Sequence, residues 1–137
     1  MNNERAILFA NEAFYAAFNN QDMCAMNDAW SKSNEITCLH PGWPKLSGRK
    51  EVMNSWEVIL NNKKHFGITC KFPTFKIHND MAYVICYELI KSVSLLATNI
   101  FVRENNRWRL THHQAGVTTP TSQIPSANQL DILKTVQ

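Results

Sequence analysis

A carboxylate, two imidazoles and an amide stand where this chain could take or hold a proton. Glu88 ends the inward half of the run Ala82-Tyr83-Val84-Ile85-Cys86-Tyr87-Glu88-Leu89-Ile90. The two-residue period of a strand puts Ala82, Val84, Cys86, Glu88 and Ile90 on one face. Tyr83, Ile85, Tyr87 and Leu89 take the other. If the face with the small residues is inward, Glu88 enters the interior with room around it. A carboxyl withdrawn from water has its pKa raised, as a general base or acid near neutral pH requires. The alternative is a Glu88 at a strand end, paired with Lys91 or an arginine. Further on, Trp108, Leu110, His112 and Gln114 share one face, and Arg107, Arg109, Thr111 and His113 the other. The arginines suit solvent or a partner, so His112 is expected inward. Parity fails across a bulge, in which case His113 takes its place.

A second pair is set by a turn. His40-Pro41-Gly42-Trp43 has proline at the second position and glycine at the third, the pattern of a type II turn. Such a turn brings His40 and Trp43 together. Two arrangements fit: a pocket rim with a titratable group beside an aromatic wall, or a Trp43 that plugs an apolar end while His40 caps a carbonyl.

The elements that must position these groups follow from periodicity. Residues 4–19 have Ile7, Ala10, Phe14 and Phe18 at helical spacing, with Asn19-Asn20 to end the helix. Asp22 offers an N-cap to a second short helix with Met23, Met26 and Trp30 on one face. A short strand covers 34–40, and a third helix covers about 49–62 after Gly48, with Val52, Trp56, Ile59 and Leu60 buried. From Phe66 the period becomes two, giving strands 66–78, 81–92, 95–104 and 107–116. Asn79-Asp80 and Asn105-Asn106 are the turns between them, and Pro73 marks an edge or a bulge. Helices first and antiparallel strands after is an α+β pattern. About five strands curled around the helices make a cone with an interior.

Bulk composition narrows the function classes. The 137 residues suit one domain, with 45% hydrophobic and 18% charged side chains. The net charge of +3 comes from scattered bases, not a stripe or arm, so no nucleic-acid partner is expected. Cys24, Cys38, Cys70 and Cys86 form no C-x-x-C pair. The start Met-Asn-Asn-Glu-Arg lacks the pattern of a secretory signal, and no apolar run is long enough to span a bilayer. A reduced, cytoplasmic protein with no membrane partner is the expectation. A metal site from His40, His112 and a carboxylate would match no known ligand spacing, so neither metal nor cofactor is expected.

Four stretches carry a family likeness: "ANEAFYAAFNNQDMCAMNDAW" (10–30), "CLHPGWPKLSGRKEVMNSW" (38–56), "AYVICYEL" (82–89) and "ATNIFVRENNRWRLTHHQAG" (97–116). Through them the chain resembles the SnoaL-like group of the nuclear transport factor two-like superfamily, which includes ketosteroid isomerase. The resemblance implies a cystatin-like α+β cone over residues 1–116, its curved, mostly antiparallel sheet wrapped around the N-terminal helices. Residues 117–137 would be a C-terminal extension in which Leu130, Leu133 and Val136 could form an apolar turn, a frayed terminus being the alternative. By analogy with the kinase association domains of this superfamily, Asn99 and Phe101 point into the cone, where an amide could orient a ligand carbonyl. The first helix adds Tyr15 as a ligand-binding candidate, but no aspartate falls on the inner strands, so steroid isomerisation is not implied. This fold hosts isomerases, dehydratases, hydrolases and non-catalytic dimerisation modules. The expectation is proton-transfer chemistry of isomerase, dehydratase or cyclase type on a small apolar ligand, with Glu88 and His112 catalytic and His40 and Trp43 at the mouth. The alternative is a non-catalytic dimerisation or ligand-binding module. Either way, Tyr83, Ile85, Tyr87 and Leu89 give the sheet an apolar outer face, expected to hold a homodimer.

Overall fold

The first helix begins where Asn2 accepts a hydrogen bond from Arg5 N at 2.9 Å, and it runs as α1, Asn3–Asn19. A computed structural model describes residues 2–120 of the chain. Asp22 caps α2, Met23–Ala29, through Ala25 N at 3.0 Å. Strands β1, Thr37–Leu39, and β2, Leu46–Ser47, flank the Pro-Gly turn. Helix α3, Arg49–Leu60, starts at Gly48, whose φ of +88° is in the left-handed region. Glycine brings no side chain to that cap, so Asn34 Oδ1 accepts from Arg49 N at 2.9 Å in its place. The rest is strand: β3, Thr69–His78; β4, Met81–Ile90; β5, Val93–Glu104; β6, Arg107–Val117. The apolar turn expected at Leu130, Leu133 and Val136 lies outside the described residues.

These strands form one six-stranded sheet in the order β2-β1-β6-β5-β4-β3. Every pairing is antiparallel except β1 with β6, which is parallel. The sequence pattern anticipated all of these elements but the two-residue β2, which is too short to show a period. α1 packs across the concave face against β3, β4 and β6. Ile7, Phe14, Trp30, Ile36, Val52, Val84, Phe101 and Leu110 are all but fully buried between helices and sheet. The architecture is an α+β cone. Pro73 does both things expected of it: β3 is an edge strand, and its register slips between Lys71 and Thr74. No described helix is long and apolar enough to cross a membrane.

One strand face departs from expectation. Opposite β5, Ile100 pairs with His112 but Phe101 pairs with Leu110, so Thr111 is an extra residue on β6. This bulge reverses the alternation beyond it. Trp108 and Leu110 stay inward as expected, but next to them His113 and Ala115 are inward, and His112 turns to the other face. There its Nδ1 meets Thr37 Oγ1 at 2.6 Å and its Nε2 meets Gln114 Oε1 at 3.3 Å. The fallback position, His113, therefore replaces His112. Arg109 is held within the chain by Asp28 and Glu104.

Candidate functional site

Two-residue alternation carries Glu88 inward with Ala82, Val84 and Cys86, all four buried. In register it lies between Cys70 of β3 and Leu95 of β5. Glu88 Oε2 accepts from the Tyr15 hydroxyl at 2.6 Å, and His113 Nε2 lies 4.0 Å from the same oxygen. Burial pushes the Glu88 carboxyl up to about 7, against the opposing pull of the Tyr15 hydrogen bond. Burial, and then the nearby Glu88 charge, hold the Tyr15 hydroxyl well above the ordinary tyrosine range.

The Pro41-Gly42 turn forms as its residues require, with Gly42 at φ +80° and Trp43 N bonded to His40 O at 3.0 Å. It sets the His40 and Trp43 rings 4.9 Å apart, edge to face. His40 also meets Trp56 at 4.6 Å and bonds Ser55 Oγ through Nε2 at 2.9 Å. Ser55 spends its own hydrogen on Val52 O, so His40 Nε2 is the donor and Nδ1 the acceptor. Burial lowers the His40 pKa to about 4 and that of His113 to about 3, so both rings are neutral at neutral pH.

Glu88, His113, His40 and Trp43 line a single cavity of about 400 Å³. Its remaining wall is apolar, from Phe18, Trp56, Ile59, Ile68 and Leu95 among others. Trp43, 41% exposed, stands at the rim, while Glu88 is 2% exposed. Convergent polar groups in a mostly apolar cavity are the usual form of a small-molecule site. A second cavity, about 300 Å³, lies outside the cone against Phe9, Ala10 and Trp108. Among the described residues no buried titratable side chain lines it.

The other sequence candidates are interior but do not reach this cavity wall. Phe101 is core. Tyr15 stands behind Glu88 and touches the site through it. The Asn99 amide, expected to meet a ligand carbonyl, is fully used inside the protein. Its Nδ2 donates to Asn11 Oδ1 at 2.9 Å and to the Tyr15 oxygen at 3.1 Å, and its Oδ1 faces His113 Nδ1 at 2.5 Å. Asn11 and Ser55 were not foreseen. Asn11 had a visible signal, because it falls on the buried stripe of α1 with Ile7, Phe14 and Phe18.

Two neutral buried histidines imply acid sensitivity. Their folded pKa values lie below the unfolded 6.5, so the unfolded chain binds more protons as pH falls. The stability they contribute is complete above about pH 6.5 and drains away through about 4 and 3. In urea titrations each should contribute a slope of about 1.4 kcal/mol per pH unit below 6.5. His113→Gln should remove one share of that slope; an unchanged slope would place His113 in water.

Comparison with known proteins bears on the family and the fold. The SnoaL-like domain family matches residues 7–120. F-box protein SKIP8 of Arabidopsis thaliana is 30% identical over 115 residues, 82% of this chain and 50% of that protein. The chain thus spans about half the length of this curated relative. A solved NTF2-like protein of Streptomyces avermitilis, described as a proposed dehydratase, superimposes with a TM-score of 0.77 at 28% identity, covering 84% of this chain and 95% of that one. A protein of Thiobacillus denitrificans, proposed as a calcium/calmodulin-dependent protein kinase type II association domain, gives 0.75 at 27% identity, covering 80% and 93%. An uncharacterised protein of Caulobacter vibrioides shares the cystatin-like fold, at TM-score 0.77 and 14% identity over 96% and 97% of the chains.

Proposed function

Because this chain belongs to the SnoaL-like domain family, we propose that it binds a compact, mostly apolar molecule in the cone and transfers a proton on it. The reaction is of isomerase, dehydratase or cyclase type. One observation carries the reading: Glu88, with a pKa near 7, reaches an apolar cavity flanked by two neutral histidines. Such a carboxyl is both acceptor and donor at neutral pH, so it can take a proton and return it. His113 takes the part expected of His112, and His40 and Trp43 form the rim. Tyr15 and Asn99 act one layer behind, and Phe101 belongs to the core. The Streptomyces avermitilis relative, a proposed dehydratase at 28% identity, supports this class of chemistry. The test is a thermal-shift and turnover screen of small enolisable ketones and hydroxy-carbonyl compounds. Hits should disappear in Glu88→Gln and weaken in Trp43→Ala; hits untouched by both variants would place binding outside the cone.

The second reading, a dimerisation module, rests on the outer sheet face. Ile85 and Leu96 are 38% and 40% exposed there, beside the half-buried Tyr83 and Tyr87. We infer a symmetric homodimer packed through the sheets, compatible with either function. Sedimentation should give twice the 15.7 kDa chain mass at micromolar concentration, and Ile85→Glu should return the monomer. A wild-type monomer at high micromolar concentration rules it out.

A further inference from the structure

The hydrogen bonds around Asn99 locate the protons at the deep end of the cone. Asn99 donates through Nδ2 to Asn11 and Tyr15, so its Oδ1, 2.5 Å from His113 Nδ1, is the acceptor. His113 Nδ1 therefore carries the ring hydrogen. A neutral imidazole has only one N–H, so His113 Nε2 holds a bare lone pair. The Tyr15 oxygen accepts from Asn99 at 3.1 Å, and its hydroxyl donates to Glu88 Oε2 at 2.6 Å, its shortest contact. The 4.0 Å between Nε2 and Oε2 is too long for a direct hydrogen bond. No described residue bonds His113 Nε2 or Glu88 Oε1, and neither is among the sealed, unpaired atoms of the interior.

From this geometry we infer that the site selects a neutral apolar alcohol, its hydroxyl donating to His113 Nε2 beside Glu88, with Asn11 and Asn99 as positioning residues that set the histidine tautomer. This rests on the small-molecule reading above and adds the ligand class. A hydroxyl donates to Nε2 and accepts from a protonated Glu88, or donates to an ionised one. A ketone offers no hydrogen, so it leaves the buried lone pair unsatisfied. A cation would have to enter a wall that is otherwise apolar.

The ionisable groups facing Glu88 are Tyr15 from α1, Cys70 from β3, Cys86 on β4, His113 from β6, and Cys38 and His40 at the β1 end. Both histidines stay neutral above about pH 4, so between pH 5.5 and 8.5 the donor selectivity follows Glu88.

The probes are 1-indanol, 1-indanone, indane and 1-aminoindane, titrated into the wild-type chain and followed by NMR. At about pH 8.5, 1-indanol should bind about tenfold more tightly than 1-indanone, the size expected for one buried hydrogen bond. Near pH 5.5 the ratio should narrow, because protonated Glu88 can then donate to the ketone. Long-range 1H–15N spectra should show His113 as the Nδ1–H tautomer. Asn11→Leu should mix the tautomers and cut the alcohol preference below about threefold; should it not fold, the wild-type spectrum decides. An Nε2–H tautomer, or a preference for the ketone or the amine, overturns the inference and leaves the pocket standing. Failure of all four probes to bind in the cone overturns both.

Discussion

Glu88→Gln is expected to abolish turnover while making the protein more stable in mild alkali. Removing a positioned acid–base group typically costs about 10²–10⁴-fold in rate. The stability gain has a definite sign. The folded pKa of about 7 is raised above the ordinary 4.5, so folding favours the protonated form. The contribution of that group is therefore complete below about pH 4.5 and is lost as pH rises through 7. Integrated over this window, the loss is on the order of 3 kcal/mol at pH 8. Glutamine keeps the shape and the bond from Tyr15 but carries no charge, so it escapes the loss. Urea unfolding at pH 8 should show a higher midpoint for the variant, and the difference should vanish near pH 4. A variant less stable than wild type at pH 8 would mean that the carboxylate is well paired rather than merely buried. Retained turnover would move the proton carrier to another residue.

Trp30→Ala should cost about 3–5 kcal/mol, the range for a large aromatic removed from a core. Trp30 has no exposed surface, and it packs edge-on against Phe14 and tilted against Trp56, each at 6.4 Å. It also ties the end of α2 to the sheet through a bridge with Leu110. Among the described residues its indole N–H has no acceptor, so the loss is one of packing and burial, with no hydrogen bond to add. Trp56→Ala should cost less, because one side of that ring faces the cavity and has fewer atoms to lose. Instead it should weaken ligand binding. Denaturant unfolding of both variants checks the order; a Trp30→Ala loss below about 1 kcal/mol would remove this residue from the core.

The sequence by itself determined the parts that depend on local chemistry. Period-two alternation grouped Glu88 with Ala82, Val84 and Cys86, and Asn99 with Phe101, because pleating sends successive side chains to opposite sides wherever a strand is regular. Proline and glycine chose the turn that joins His40 to Trp43, since only glycine takes its +80° φ without strain. Pro73 marked its own bulge by lacking an N–H. The bulge at Thr111 carries no such mark. It arises from how β6 fits against β5, and one extra residue there exchanges His112 for His113 in the site. Contacts between distant segments were equally out of reach. That β1 lies parallel to β6, and that Asn11 on α1 meets Asn99 on β5, are matters of how the helix crosses the sheet. A pattern along the chain reports the period of an element, but its phase and partners are settled only when a second element packs against it. For that reason the identity of the inward histidine, and the hydrogen bond that sets its tautomer, belong to the tertiary structure.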